Sequence, residues 1–415
     1  MKRVAVVGGG IAGLSLARML QGHREVVVFE KEETIGGLLR CCRVNGHLFH
    51  LCGGHVFNSK NQSVLDWFWQ VFDRDRDFTK AARNSAVCLE DGYMVPYPIE
   101  NHVYMMDDAI RRRFNAELDS LESNPPPPPQ DFDSFLRSSF GTTLYDLYFK
   151  PYNEKIWKCD LSTIPLSWLE GKLPMPTVAE MRHANATHEK ETSFVHSSFW
   201  YPRMGGSQFL IDTLARGLDV RCNSPVYRIE VLPSAQVRVN GAMFDSVVYC
   251  GSIKELPRLL SGVDLGGLAT QVDFFSAHGT TSVLCEVDDN PYSWVYQPSR
   301  RHDSHRIICT GNFSMSNNGG RRHSAVVEFT NAISRDDAER QLGMMPFHPR
   351  MLAENFTPVT YPIQHSETRR VVSEVKSRLQ SRQVYLAGRF AEWEYFNMDA
   401  VVASVMSCVQ EQILR

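Results

Sequence analysis

Gly8, Gly10 and Gly13 stand at the G-x-G-x-x-G spacing, and a single carboxylate, Glu30, follows seventeen residues after the last of them. Those residue types at that spacing suit one task, holding a dinucleotide. Gly8 permits a tight turn, Gly10 lets a pyrophosphate approach the backbone, and Gly13 lets a helix pack onto a strand. The N–H groups at the start of that helix point at the phosphates, and Glu30 accepts hydrogen bonds from ribose hydroxyls. The flanking residues supply the elements. Residues 2–7 are an apolar run with Val4, Val6 and Val7, which predicts a buried parallel strand. Residues 14–20 have helical spacing, and residues 25–29 are a second apolar run closed by Glu30. Gly36-Gly37-Leu38 then gives a second place where backbone can approach a ligand closely.

The rest of the chain must position this site and add a substrate site to it. At 415 residues, two or three domains are expected. Apolar content of 43% and charge of 22% are ordinary for a globular protein. A net charge of −3 argues against bulk nucleic-acid or anionic-membrane binding. No apolar run reaches membrane-spanning length, and the chain opens on a strand, so no signal peptide is expected. Ten cysteines include no C-x-x-C, and Cys41 and Cys42 are adjacent. No metal site is expected, and reduced thiols place the protein in the cytoplasm.

Helices are expected at 61–72, 102–123, 132–150, 208–217, 253–260, 367–380 and 398–414. Strands are expected at 220–231, at 237–250 with Asn240-Gly241 as a turn, over most of 270–331, and at 384–387. Asp91-Gly92 marks a hairpin, and Pro125 to Pro129 a stiff connector. The fold class is α/β: a discontinuous Rossmann-like dinucleotide domain (1–60, 205–255 and 380–415) with two insertions. One is a mainly helical cap over 61–204, and the other an antiparallel β-rich substrate-binding domain over 256–379.

Gly36-Gly37 soon after Glu30, with Gly388-Arg389 after a C-terminal apolar run, resembles the FAD-binding flavoproteins of the amine-oxidase type. Further blocks follow in order: Gly53-Gly54-His55-Val56; Val95-Pro96-Tyr97-Pro98 with Asn101; Pro151-Tyr152-Asn153 with Lys155 and Trp157, then Trp168-Leu169; Trp294, Tyr296 and Pro298, then Arg306 and Asn312-Phe313-Ser314; Tyr361-Pro362; and Gly388-Arg389-Phe390 with Trp393 and Tyr395. Together they resemble the UDP-galactopyranose mutase family, nearest its eukaryotic-type branch and that branch's bacterial relatives.

That resemblance implies a sugar mutase that interconverts pyranose and furanose forms of a nucleotide-diphosphate sugar. Reduced FAD acts there, with flavin N5 as the nucleophile and an N5–sugar adduct, and an external reductant such as NADPH primes it. It implies FAD contacts from Gly8, Gly10, Gly13, Glu30, Lys31, Gly37, Leu38, Gly54, His55, Val226, Gly388, Arg389, Asn397 and Met398. It implies substrate contacts from Tyr97, Asn153, Trp157, Lys172, Trp294, Tyr296, Arg306, Tyr361 and Tyr395, with His55 and Arg306 closest to the chemistry. Lys172 stands where the family has arginine, Glu100 where it has glutamine and Asn58 where it has histidine, so the sugar and nucleotide stay open. The same fold and FAD residues also serve redox enzymes of the amine-oxidase and protoporphyrinogen-oxidase type, which is the alternative function. The diphosphate set (Arg306, Tyr361, Tyr395, Lys172) favours the mutase. An assembly of identical copies is left open.

Overall fold

The computed structural model describes residues 1–166, 176–188, 198–234 and 236–414. The first apolar run folds as the strand Arg3–Val7, the centre of a five-stranded, wholly parallel sheet. Its neighbours are Glu25–Phe29 and Ser246–Tyr249, with Asp219–Arg221 and Val384–Leu386 at the edges. Alternation along the strand decides which side chain serves which face. Val4 and Val6 join a core with Leu14, Leu210 and Val401, while Ala5 and Val7 join one with Val247, Val371 and Leu386. Both faces are covered, so the strands read as unbroken apolar runs. The helix Ile11–Leu20 lies against Gly206–Ala215 and Met398–Cys408 on one face. Three separated stretches of chain thus build one sheet, the Rossmann-like arrangement the glycine spacing implies.

A second sheet has seven strands. In spatial order they are Arg350–Pro362, Ala277–Val287, His323–Thr330, Ser304–Ile308, Trp294–Tyr296, Ser85–Cys88 and Met94–Pro96. All its pairs are antiparallel except Trp294–Tyr296 with Ser85–Cys88. One cross-strand row reads Tyr296, Arg306, Glu328, Ser282 and Asn355, so these side chains share a face. That face meets the helices Asp108–Ser123, Phe132–Leu144 and Lys150–Trp157, whose aromatic side chains form one core with Tyr296 and Tyr361. Lys155 fastens the last of these helices: its buried Nζ donates to Gln297 O and Ser304 O, each at 2.9 Å.

Several expectations need correction. Residues 220–231 are not one strand. Asp219–Arg221 closes the parallel sheet and Ile229–Val231 belongs to a separate four-stranded sheet, with a loop between. Both pieces are extended, with Val220 in one and Ile229 and Val231 in the other, and residue pattern does not register which sheet an extended piece joins. The helix read at 102–123 begins at Asp108, where Asp107 caps it by accepting from Ala109 N and Ile110 N. The helix Gly267–Asp273 occupies the start of the stretch read as strand from 270. The hairpin read at Asp91-Gly92 is present: Ser85–Cys88 and Met94–Pro96 pair antiparallel, and they join the seven-stranded sheet.

Candidate functional site

The dinucleotide end is built by backbone. Gly8 has φ 113°, a value open to glycine, and its N–H donates to Phe29 O at 2.8 Å. Gly36 N donates to Gly9 O at 2.9 Å, which lays the second glycine pair against the first. The first N–H groups of the helix Ile11–Leu20 have no intrahelical acceptor. Glu30 is buried, and its carboxylate accepts from Gly9 N at 2.7 Å and Glu32 N at 2.9 Å, leaving lone pairs for hydroxyl donors. Lys31 beside it is exposed. Ser224 N donates to the Glu30 backbone carbonyl at 2.8 Å, and half-buried Val226, two residues on, packs on the core that contains Phe29. Half-buried Leu38 packs into the core under this loop. At the other end of the sequence, a Cβ added at Gly388 would stand 2.6 Å from Ala12 Cβ. Arg389 then donates to Phe396 O at 3.0 Å and Thr360 O at 2.6 Å. It fixes the turn before Asn397 and Met398, which open the helix Met398–Cys408.

The fit to a flavin dinucleotide can be tested on these atoms. A Cβ at Gly10 would meet only Gly37 Cα, at 3.9 Å, so the protein leaves space between the two glycine loops. Two buried donor or acceptor atoms, His55 Nε2 and Arg389 Nε, have no hydrogen-bond partner among the described residues. Buried polar atoms are seldom left so without a ligand to meet them. The residues fit the group.

His55 rides on the loop of Gly53 and Gly54, where a Cβ at Gly54 would lie 2.5 Å from Ile308 Cγ2. The loop is thereby pressed onto the seven-stranded sheet, and Asn355 Nδ2 donates to Leu51 O at 2.8 Å. Burial first, then His50 and the cations Arg389 and Arg306, hold the His55 imidazole down to about 4, so it is neutral at ordinary pH.

Several of the residues expected to meet substrate gather on the sheet face beside this loop. Arg306 Nε is ion-paired to Glu328, and its Nη2 donates to Tyr361 OH at 3.1 Å. Glu328 is 1% exposed; burial alone would raise its carboxyl, but Arg306 and His305 hold it well below the usual carboxylate range. The Tyr361 and Tyr395 rings stack at 5.4 Å, and Arg389 lies 4.4 Å from the Tyr395 centroid. Trp157 meets both rings edge-on, and its Nε1 donates to Asn153 Oδ1 at 3.3 Å. Tyr97 lies 5.0 Å from Tyr296. Trp294 instead turns into an aromatic core with Phe199 and Phe313. Lys172 and Trp168-Leu169 lie outside the described residues.

Three residues of this cluster escaped sequence reasoning. Arg83 donates to Tyr296 OH at 2.5 Å and stands 4.5 Å over the Trp294 ring. Glu328 faces Arg306 across the ladder. His278 pairs with Tyr361 across another. Only Glu328 carried a local signal, one carboxylate in an otherwise apolar strand.

These burials predict a pH dependence. His50, His55, His278 and His302 are each pushed down to about 4 by burial, against about 6.5 unfolded. Between those values the unfolded chain binds more protons, so stability is full above about 6.5 and falls as pH drops towards 4. Buried Glu100, raised to about 7, works the other way but is one group against four. The urea midpoint at pH 5 is expected below that at pH 7; an equal or higher midpoint at pH 5 contradicts this.

Comparison with known proteins follows the same lines. A family model described as an NAD(P)-binding Rossmann-like domain matches residues 6–74. The UDP-galactopyranose mutase of Mycoplasma genitalium is 22% identical over 433 residues, covering 98% of this chain and 94% of that protein. The UDP-galactopyranose mutase of Mycoplasma pneumoniae is 24% identical over 279 residues, 60% of this chain and 62% of that protein, which is under two thirds of its length. A crystal structure of reduced UDP-galactopyranose mutase superposes with a TM-score of 0.87 at 20% identity, over 100% of this chain and 97% of that one. Wild-type putrescine oxidase bound to putrescine superposes with a TM-score of 0.67 at 14% identity, over 100% and 99%. The resemblance to the UDP-galactopyranose mutases thus runs the length of the chain, and the fold is theirs. No helix among the described residues is long and apolar enough to cross a membrane.

Proposed function

We propose that this chain is an FAD-dependent sugar mutase interconverting the pyranose and furanose forms of a nucleotide-diphosphate sugar, with UDP-galactose as the reference substrate. One observation carries the reading: half-buried Arg306, ion-paired to buried Glu328 and with tyrosines 361 and 395 beside it, lies next to the His55 loop and Arg389. That is a diphosphate site at the mouth of a dinucleotide site. The whole-length likeness to sugar mutases supports it.

Gly10 and Gly37 hold the FAD pyrophosphate, Gly8 shapes the turn and Gly13 seats the helix behind it, and Glu30 holds the ribose, with Lys31, Leu38 and Val226 in the same unit. Gly54, His55, Gly388, Arg389, Asn397 and Met398 hold the flavin end. FAD held there in reduced form, with NADPH or another external reductant to prime it, would supply the nucleophile for the anomeric carbon. The chain's own residues handle the leaving group. Arg306, with Tyr361 and Tyr395, gives the diphosphate charge-assisted and phenolic hydrogen bonds in a water-poor setting, where they are strong. Glu328 keeps the guanidinium in place, and neutral His55 adds no competing charge. Tyr97, Asn153 and Trp157 hold the nucleotide side, Tyr296 stands beside the diphosphate, and Lys172 adds a second cation. The same reading divides the chain into a cofactor unit (1–60, 205–255, 380–415), a cap (61–204) and a substrate unit (256–379), in a cytoplasmic protein.

The test is turnover of UDP-galactofuranose, followed by chromatography, with the flavin first oxidised and then chemically reduced. Conversion to the pyranose only after reduction is expected. The rival reading, an amine-oxidase-type redox enzyme, has the fold of putrescine oxidase in its favour. It predicts no conversion in either state, and bleaching of the oxidised flavin by an amine or another reduced substrate.

A further inference from the structure

His278 lies in the candidate site without a task in the mechanism above. It is 6% exposed and stands directly opposite Tyr361 across the ladder between Ala277–Val287 and Arg350–Pro362. The two rings stack at 4.8 Å and 20°. Tyr361 stacks in turn on Tyr395, and Trp157 meets all three rings edge-on, the imidazole at 6.5 Å. His278 is therefore the third rung of a ladder whose other two rungs carry phenolic hydroxyls.

The imidazole has one nitrogen engaged. Nδ1 lies 3.1 Å from Gly279 O, and a carbonyl only accepts, so Nδ1 carries the proton. Burial holds the ring down to about 4, so it is neutral, and Nε2 keeps its lone pair as an acceptor. Nε2 is buried and has no hydrogen-bond partner among the described residues. Leaving such an atom unmet carries the full desolvation cost of a polar group, and proteins seldom tolerate that.

The chemistry of the atom selects the group it meets. A neutral acceptor requires a donor, and a diphosphate offers none. The hydroxyls of a sugar do. Position then separates the two sugars of a nucleotide sugar. Tyr361, on which His278 stacks, and Tyr395 adjoin Arg389, at the flavin end of that mechanism, whereas Tyr97, on its nucleotide side, packs against Tyr296. The transferred sugar must reach the flavin end, and the ribose need not.

We propose that His278 Nε2 accepts a hydrogen bond from a hydroxyl of the transferred sugar and so helps to select it. This rests on the mutase reading of the site. Site-built hydrogen bonds of this kind discriminate strongly against a ligand lacking the group.

The experiment measures binding to the purified flavoprotein by calorimetry. The probes are UDP-galactose, UDP, and UDP-galactose analogues each lacking one sugar hydroxyl. His278→Phe keeps the stacked ring and removes the acceptor; His278→Gln keeps an acceptor at similar reach. Affinity of His278→Phe for UDP-galactose should fall by about ten- to a hundred-fold with UDP unchanged. His278→Gln should recover part of the loss, and one deoxy analogue should bind wild type and His278→Phe equally. Unchanged UDP-galactose affinity in His278→Phe, a parallel loss of UDP affinity, or no analogue that equalises the two proteins overturns the assignment while the mutase reading stands. A wild-type protein that binds neither UDP nor UDP-galactose removes both.

Discussion

Arg306→Ala should lower kcat/KM for the nucleotide sugar by about 10²–10³-fold and should also destabilise the fold, and the two losses should separate on a second substitution. The guanidinium has two partners inside the protein, Glu328 and Tyr361 OH. Its outer N–H groups remain for a phosphate. Removing it deletes the cation that the leaving diphosphate needs, an interaction that strengthens as charge develops in the transition state. It also leaves Glu328, which is 1% exposed, without its cation and with His305 at 3.5 Å. Breaking a buried pair from one side costs about 3–5 kcal/mol, most of it the penalty of the orphaned charge. Adding Glu328→Gln removes that charge. The double variant should regain much of the lost stability in urea unfolding, while its kcat/KM stays as low as that of Arg306→Ala. Activity returning in step with stability would mean that Arg306 supports the fold alone and binds no diphosphate.

How far such a pair could be foreseen depends on what each residue's neighbours in the sequence reveal. The glycine loop was legible because its strand, turn, helix and ribose acid lie within thirty residues and each demand is local. The placement of Arg306 near Tyr361 rested on a family resemblance, and its partner was missed. Glu328 lies opposite Arg306 only through the antiparallel register of two strands. Arg83 reaches Tyr296 across 213 residues of chain, and nothing in its own surroundings marks it. The strand Arg350–Pro362 was missed altogether. It is an edge strand whose side chains alternate between half-buried and exposed along most of its length, and it carries Pro358, so no apolar run announces it. His278 was lost with it, since that strand is what sets Tyr361 against the imidazole. Local pattern resolves elements, but it does not resolve which strand lies beside which, and most of the substrate site is made by strand pairing.

The two central glycines should fail in different ways, and that difference tests the dinucleotide site directly. At Gly10 the backbone has φ −82°, which any residue adopts, and an added Cβ would meet only Gly37 Cα at 3.9 Å. The protein itself therefore accepts a side chain there; what the side chain would occupy is the space between the two glycine loops. Gly10→Val should fold, with near-wild-type far-ultraviolet circular dichroism, and elute without the yellow chromophore. At Gly13 an added Cβ would stand 2.0 Å from Gly8 O and 3.0 Å from Val6 Cγ1. Neither a backbone carbonyl nor the central strand can yield that distance without separating helix from sheet. Gly13→Ala should therefore lose stability by about 2–4 kcal/mol and lose the flavin as a consequence, with its urea midpoint lowered even when flavin-free proteins are compared. A yellow Gly10→Val protein would remove the pyrophosphate from between these loops. A stable, flavin-bound Gly13→Ala protein would show that helix and strand are not held in the contact that gives the third glycine its purpose.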